Sequence, residues 1–223
     1  MQKVLFIIIV ILLVAVTMGV ETESFAKGFE NFSTLDQAKR SSGERIDKIE
    51  IYVISRKIKI FQAGKSDSPM EEFVAGTATP RNAKSIPYGI IGSAYKIVLN
   101  PTYHPTEDHL KKEQAKRRKI VREIKPNDPN NPLGKMKIYF TFPKIDPGLS
   151  FGAHGTNKPS SIGKRSSEGC VRLKDGDIEK IVSILLEQNG LDSETIFKQA
   201  AENQGMSYQY ILKKRPRIVF LNK

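Results

Sequence analysis

The chain holds one cysteine, Cys170, and three histidines, His104, His109 and His154. A cysteine attacks as its thiolate, and a free thiol near pKa ~8.5 is mostly protonated at neutral pH. An imidazole in contact with it can take the proton and then stabilise the thiolate as imidazolium. Of the three histidines, only His154 closes an apolar run (Leu149–His154), where a strand can hold it rigidly. A Gly/Ser/Pro-rich loop leads from there to Gly169-Cys170. Gly169 permits a tight turn, and backbone N–H groups around Gly169, Cys170 and Val171 can face the oxyanion of a tetrahedral intermediate. Arg172 alternates with Cys170. It either holds a substrate carboxylate through a bidentate contact or pairs with Asp175 or Asp177. Ser167 either ties the loop or orients His154, and Asp175-x-Asp177 reads as helix capping. Taken alone, the thiol admits three readings: an inert buried group, an intermolecular link or a nucleophile.

The setting of these residues is specific. HGT at His154–Thr156, then NKPSSIG, then S-x-GC followed by VRL, resembles the active-site signature of the L,D-transpeptidases, the YkuD-type catalytic domain. Upstream, IPYGII (Ile86–Ile91) resembles that family's TPxGxF element, NPTYHP (Asn100–Pro105) its NPTW-x-P element, and NNPLG (Asn130–Gly134) its NPLG turn. The likeness runs in the family's order over about Ile49–Lys180. It implies a mainly β fold, a YkuD-type sandwich or barrel-like domain with one or two C-terminal helices and a lid insertion. It also implies a free catalytic Cys170 with His154 as base, and no metal or organic cofactor. Gly155, Thr156, Arg172, Tyr103 and His104 are then the candidate substrate-binding residues, although Tyr103 and His104 equally suit packing of the lid. The implied substrate is a peptidoglycan stem peptide. Cys170 attacks the carbonyl of the diamino acid at position three, the terminal D-Ala leaves, and the acyl group passes to the amine of another stem. Hydrolysis of the same acyl-enzyme, by an L,D-carboxypeptidase or amidase, and a weakened wall-binding protein are the alternatives. One departure stands out: the family's Ser-His-Gly-Cys is here Ser167-Glu168-Gly169-Cys170. A carboxylate facing the thiol opposes thiolate formation, so Glu168 is expected to point away or to meet Lys164, Arg165 or a substrate amine.

The elements that must position these groups read as follows. Ile49, Ile51 and Val53 alternate, and Ile58 and Ile60 follow a Ser55-Arg56-Lys57 break, which predicts a hairpin. Glu72–Gly76, Gly89–Leu99, Met136–Phe142 and Leu149–His154 are further strand candidates, and Ile218–Leu221 a final one. Helical period appears in Asp177–Gln188 and again in Glu194–Asn203. Asn100–Asn131 breaks the pattern, with four prolines and the basic run KKEQAKRRKIVR. Long polar insertions in compact domains are usually functional, so this one is either a lid over the site or a solvated helical excursion. The catalytic domain spans residues 46–223.

Residues 1–20 read as a signal peptide or membrane anchor: Lys3, then an apolar run from Val4 to Val20. No cysteine lies near the end of the run, which argues against a lipoprotein anchor. Residues 21–45 read as a linker. Export places the domain outside the cytoplasm, in the periplasm or on the outer face of the membrane, with membrane contact at least during export. The formal net charge of +12 suits acidic wall polymers or anionic lipid. The basic run lacks interleaved aromatics and any helix-turn-helix pattern, so nucleic acid is not expected as a partner.

Overall fold

A computed structural model of the protein describes residues 45–223, apart from residues 66, 117–119, 144 and 146–149. The expected leader and nearly all of the linker lie outside the described residues. Among the described residues no helix is long and apolar enough to cross a membrane.

The predicted hairpin forms from β1 (Ile46–Tyr52) and β2 (Lys57–Gln62), with Ile49 opposite Ile60 and Ile51 opposite Ile58. Alternation sends these four isoleucines to one face, where each is at most 1% exposed. β3 (Glu71–Val74) extends the hairpin, and β4 (Thr77–Ala78) starts a separate two-stranded patch. The other main strands are β5 (Gly92–Leu99), β6 (Met136–Thr141) and β7 (Phe151–His154). The short β8 (Arg165–Ser167) and β9 (Val171–Arg172) flank Cys170, and β10 (Tyr208–Ile211) and β11 (Arg217–Leu221) come last.

Nine of these strands make one mixed sheet in the order β3-β2-β1-β11-β5-β6-β7-β9, with β10 beside the far end of β5; β4 and β8 pair separately. The mainly β expectation is therefore met by a single mixed sheet rather than two stacked ones. Between β5 and β6, residues 100–131 leave the sheet and carry α1 (Glu107–Ala115). The excursion is pinned at its base. Tyr103 and Ile124 exchange backbone hydrogen bonds at 2.9 Å each, and Asn131 Nδ2 donates to Pro101 O at 2.7 Å.

Two helices follow Cys170, α2 (Asp175–Gln188) and α3 (Ser193–Glu202). Ile178, Ile181, Val182, Leu185 and Leu186 recur at helical spacing and are all at most 1% exposed, packing α2 against β6, β1 and β7. α3 is capped as its sequence suggests, with Asp192 accepting from the N–H groups of Glu194 and Thr195. At α2 the capping expectation is corrected. Its N-cap is Lys174, which makes no side-chain cap, and Asp175 turns its carboxylate to the Thr156 N–H instead.

Candidate active site

Three strands set out the site. In register across β6, β7 and β9, Lys137 stands opposite His154 and His154 opposite Arg172. Their neighbours Ile138, Ala153 and Val171 face the core at 0–1% exposure. Alternation therefore puts Lys137, His154 and Arg172 in one row on the other face. Cys170 immediately precedes β9 and alternates with core-facing Val171, so it falls on the same side as this row.

His154 is buried, and its Nδ1 lies 2.5 Å from the carbonyl oxygen of Gly155. A carbonyl only accepts, so Nδ1 carries the proton and Nε2 keeps a free lone pair. Burial pushes the imidazole down to about 3. The Gly155 contact works the other way, and the positive charges of Lys137 and Arg172 lower it further. At neutral pH His154 is thus an uncharged base, with one nitrogen fixed and the other available.

Cys170 is partly exposed and has no disulfide partner. Its Sγ lies 3.7 Å from Ser150 O, just before β7 begins. Gly169 adopts φ +144°, a conformation that L side chains rarely reach, so glycine is required immediately before Cys170. Ser167 is 1% exposed, and its Oγ accepts the Gly169 N–H at 3.3 Å. Of the two roles considered for Ser167, the structure shows the loop tie. The same bond occupies the Gly169 amide and leaves, of the three amides considered, those of Cys170 and Val171. The turn is clamped on both sides: Arg172 exchanges 2.8 Å backbone bonds with Gly76, and Leu173 donates to His154 O at 2.9 Å.

Arg172 has no carboxylate of Asp175 or Asp177 within ion-pair reach, and its Nε is buried without a hydrogen-bond partner. A donor buried unpaired costs ~1–3 kcal/mol. Gly155 and Thr156 lie behind the site. A Cβ on Gly155 would meet Asp175 Oδ1 at 2.3 Å, and Thr156 Oγ1 accepts the Lys158 N–H at 3.0 Å. Both fix the turn that follows His154.

From the insertion, Tyr103 arrives half-buried near Cys170. Burial raises its phenol, the charges of Glu168 and Cys170 add to this, and Arg172 opposes it. His104 is exposed. His109 of α1 does approach the site, with Nδ1 4.0 Å from Glu168 Oε1. Arg165, an expected partner of Glu168, directs its Nε to Ala78 O at 3.2 Å. Sequence reasoning missed His109 and Lys137. Lys137 was visible as a charge in an alternating strand, but its place beside His154 depends on sheet register. Among the described residues no group of three or more His, Cys, Asp or Glu side chains is arranged to hold a metal ion.

Comparison with known proteins gives a consistent result. The family profile of the L,D-transpeptidase catalytic domain, YkuD, matches residues 54–192. ErfK/SrfK of Escherichia coli K12, named a probable L,D-transpeptidase, is 34% identical over 105 residues, which are 47% of this chain and 29% of that protein. YbiS of the same organism, also named a probable L,D-transpeptidase, is 34% identical over 79 residues, 35% of this chain and 23% of that one. The chain thus matches under a third of the length of these relatives. Among solved structures, an L,D-transpeptidase from Mycobacterium smegmatis aligns over 78% of this chain and 57% of its own at 11% identity, with a TM-score of 0.35. The profile match runs unbroken from the first hairpin through the insertion, the His154 strand and the Cys170 turn into the helices, well over half of the chain; the protein belongs to the L,D-transpeptidase family and carries its YkuD catalytic domain.

Proposed function

We propose that the protein is a peptidoglycan L,D-transpeptidase that works through an acyl-enzyme on Cys170. The Cys170 thiol gives its proton to Nε2 of His154 as Sγ bonds to the carbonyl carbon of the diamino acid at position three of a tetrapeptide stem. The oxyanion takes hydrogen bonds from the backbone amides of Cys170 and Val171. The C–N bond breaks, and the terminal D-Ala leaves with the proton that His154 returns. A second stem's amine then attacks the thioester, His154 takes the amine proton, and the thiol is restored. Arg172 holds a donor carboxylate, and Tyr103 lines the cleft from the insertion side.

The observation that carries this reading is the state of His154: uncharged, with Nδ1 anchored on Gly155 O and a lone pair at Nε2 on the face shared with Cys170. A base must be unprotonated to act. On this reading the domain works outside the cytoplasmic membrane, where its substrate lies, and the apolar segment of residues 4–20 directs it there.

The test is a product profile of the full-length protein on purified tetrapeptide muropeptides, followed by mass spectrometry. Released D-Ala together with cross-linked dimers is the expected outcome. Tripeptide without dimers assigns the hydrolase reading instead. Cys170→Ala should lower D-Ala release by on the order of 10³-fold or more while leaving the thermal transition in place, because the thiol has no disulfide to lose. D-Ala release at the parental rate from this variant removes Cys170 from the mechanism.

A further inference from the structure

Lys137 has no task in the reaction as described, yet it is the buried lysine of the catalytic face. It is 8% exposed. Among the described residues no carboxylate lies within ion-pair reach of its ammonium. Its Nζ rests 4.2 Å from the centroid of the Tyr139 ring, which Lys96 Nζ also approaches at 4.3 Å. A cation–π contact contributes ~0.5–2 kcal/mol, less than the several kcal/mol that desolvating an ammonium costs. Two ammonium groups sharing one ring also repel each other. Lysine is rarely buried unpaired, and an ammonium held this way beside an active centre marks a seat for an anion.

The position of that seat follows from the strands. Tyr139 stands opposite Gly152 in register. A Cβ on Gly152 would lie 3.4 Å from Lys137 Cε, so the lysine stem runs across Gly152, where no side chain obstructs it. Cys170 Sγ reaches the same stretch of chain from the other side, at Ser150 O. The thiol and the ammonium therefore converge on residues 150–152 from β9 and β6 respectively. β7 separates β6 from β9, so the two lie twice the ~4.8 Å strand spacing apart. The lysine stem covers the first spacing by crossing Gly152, and the second compares with the ~3.8 Å between successive Cα atoms of a peptide. A terminal carboxylate that follows the scissile carbonyl by one residue fits that interval.

We propose that Lys137, together with Arg172 on the far side of His154, forms a two-cation seat for the terminal carboxylate of the residue that leaves. The inference rests on the transpeptidase reading and deepens it. It also gives the row of Lys137, His154 and Arg172 a purpose. Both cations oppose protonation of His154; a carboxylate seated between them offsets both and strengthens the base while the donor is bound. Departure of the D-amino acid removes that anion as His154 gives its proton back. The other charged or titratable groups around the imidazole are Asp175 of α2 behind Gly155, with Cys170, Glu168 and Tyr103 on the Arg172 side.

The experiment compares two donor stems that differ only in a free or amidated C-terminal carboxylate, using the full-length protein. A third donor with lysine in place of diaminopimelate at position three separates the terminal carboxylate from a side-chain one. The parent should acylate the free acid with a kcat/KM roughly ten- to a hundredfold above the carboxamide, the range expected for a hydrogen-bonded charge. Lys137→Met should erase that preference by lowering the free-acid rate, and Lys137→Arg should restore it. Removing the cation should also move the acid limb of kcat/KM for the carboxamide to higher pH, a change that a structural role does not produce. Undiminished alkylation of Cys170 by iodoacetamide in Lys137→Met would show an intact site. Should Lys137→Met fail to fold, the parent's donor comparison and Lys137→Arg still decide the matter. Equal rates on acid and carboxamide, or a preference that follows the position-three carboxylate instead, overturn the seat and leave the transpeptidase reading standing. Turnover of neither donor overturns both.

Discussion

At His154 burial fixes a stability property together with a catalytic one. The imidazole stays neutral in the fold down to about pH 3, whereas in the unfolded chain it titrates near ~6.5. Between those values the unfolded state binds the extra proton. Stability therefore rises with pH across the window, is lost as pH falls from ~6.5 towards 3, and is insensitive to this group above ~6.5. The slope owed to one such group is about 1.4 kcal/mol per pH unit. Urea denaturation at a series of pH values should show that slope in the parent and lose it in His154→Gln, which does not titrate. Parallel slopes in the two proteins would mean that His154 is protonated in the fold. The same energetics argue against a resting imidazolium–thiolate pair. Burial, Lys137 and Arg172 all oppose the imidazolium charge, so on the proposed mechanism the proton moves only during attack, when the donor is in place.

At the scale of elements, the insertion is a separable part. Its base is closed by the paired backbone bonds of Tyr103 with Ile124, by Asn131 Nδ2 on Pro101 O, and by Asn100 Nδ2 on Ala200 O at 2.7 Å. None of these bonds involves α1. Replacing residues 106–122 by a short Gly/Ser linker should leave the thermal transition nearly unchanged. It should weaken binding to sedimented cell-wall polymer more than turnover of a short soluble stem. Equal loss on both substrates would assign the segment a structural role. Legibility in the sequence divides along the same physical lines. The Ile-rich hairpin, the strands at 92–99 and 136–141, and α2 carry enough alternation or helical period to be read directly. β4, β8 and β9 are two or three residues long and have no period to read. α1 is polar all round (Glu107–Ala115), so nothing in it distinguishes a helix from a solvated loop. Cys170 and His154 stood out because their motif is local, and pairing of β7 with β9 sets their chain segments side by side. Lys137 was not, because its meaning lies in which residue stands opposite on the next strand.

For the whole molecule, the site depends on how the sheet is joined at its centre. β11 lies between β1, to which it is parallel, and β5, to which it is antiparallel, so residues near the end of the sequence join the hairpin half to the catalytic half. Phe220 is the side chain at that join. It is 1% exposed, and its ring sits 6.3, 5.8 and 5.9 Å from those of Phe140, Phe142 and Phe151. Phe151 in turn packs beneath the nucleophile turn: a Cβ on Gly169 would meet its ring at 3.8 Å. Truncating Phe220 to alanine should cost ~3–5 kcal/mol, since the three remaining rings cannot close over the cavity. Phe220→Leu should cost less, because most of the volume remains. A control is available in Phe61, 6% exposed on β2, with Lys48 Nζ 4.1 Å from its ring centroid and no ring contact to this cluster. Phe61→Ala and Phe220→Ala should both lower the urea midpoint. Only Phe220→Ala should also change the rate at which iodoacetamide alkylates Cys170 under native conditions, because only there does the floor of the nucleophile turn move. If the two variants alkylate at the same rate, the aromatic cluster holds the sheet together without positioning the thiol.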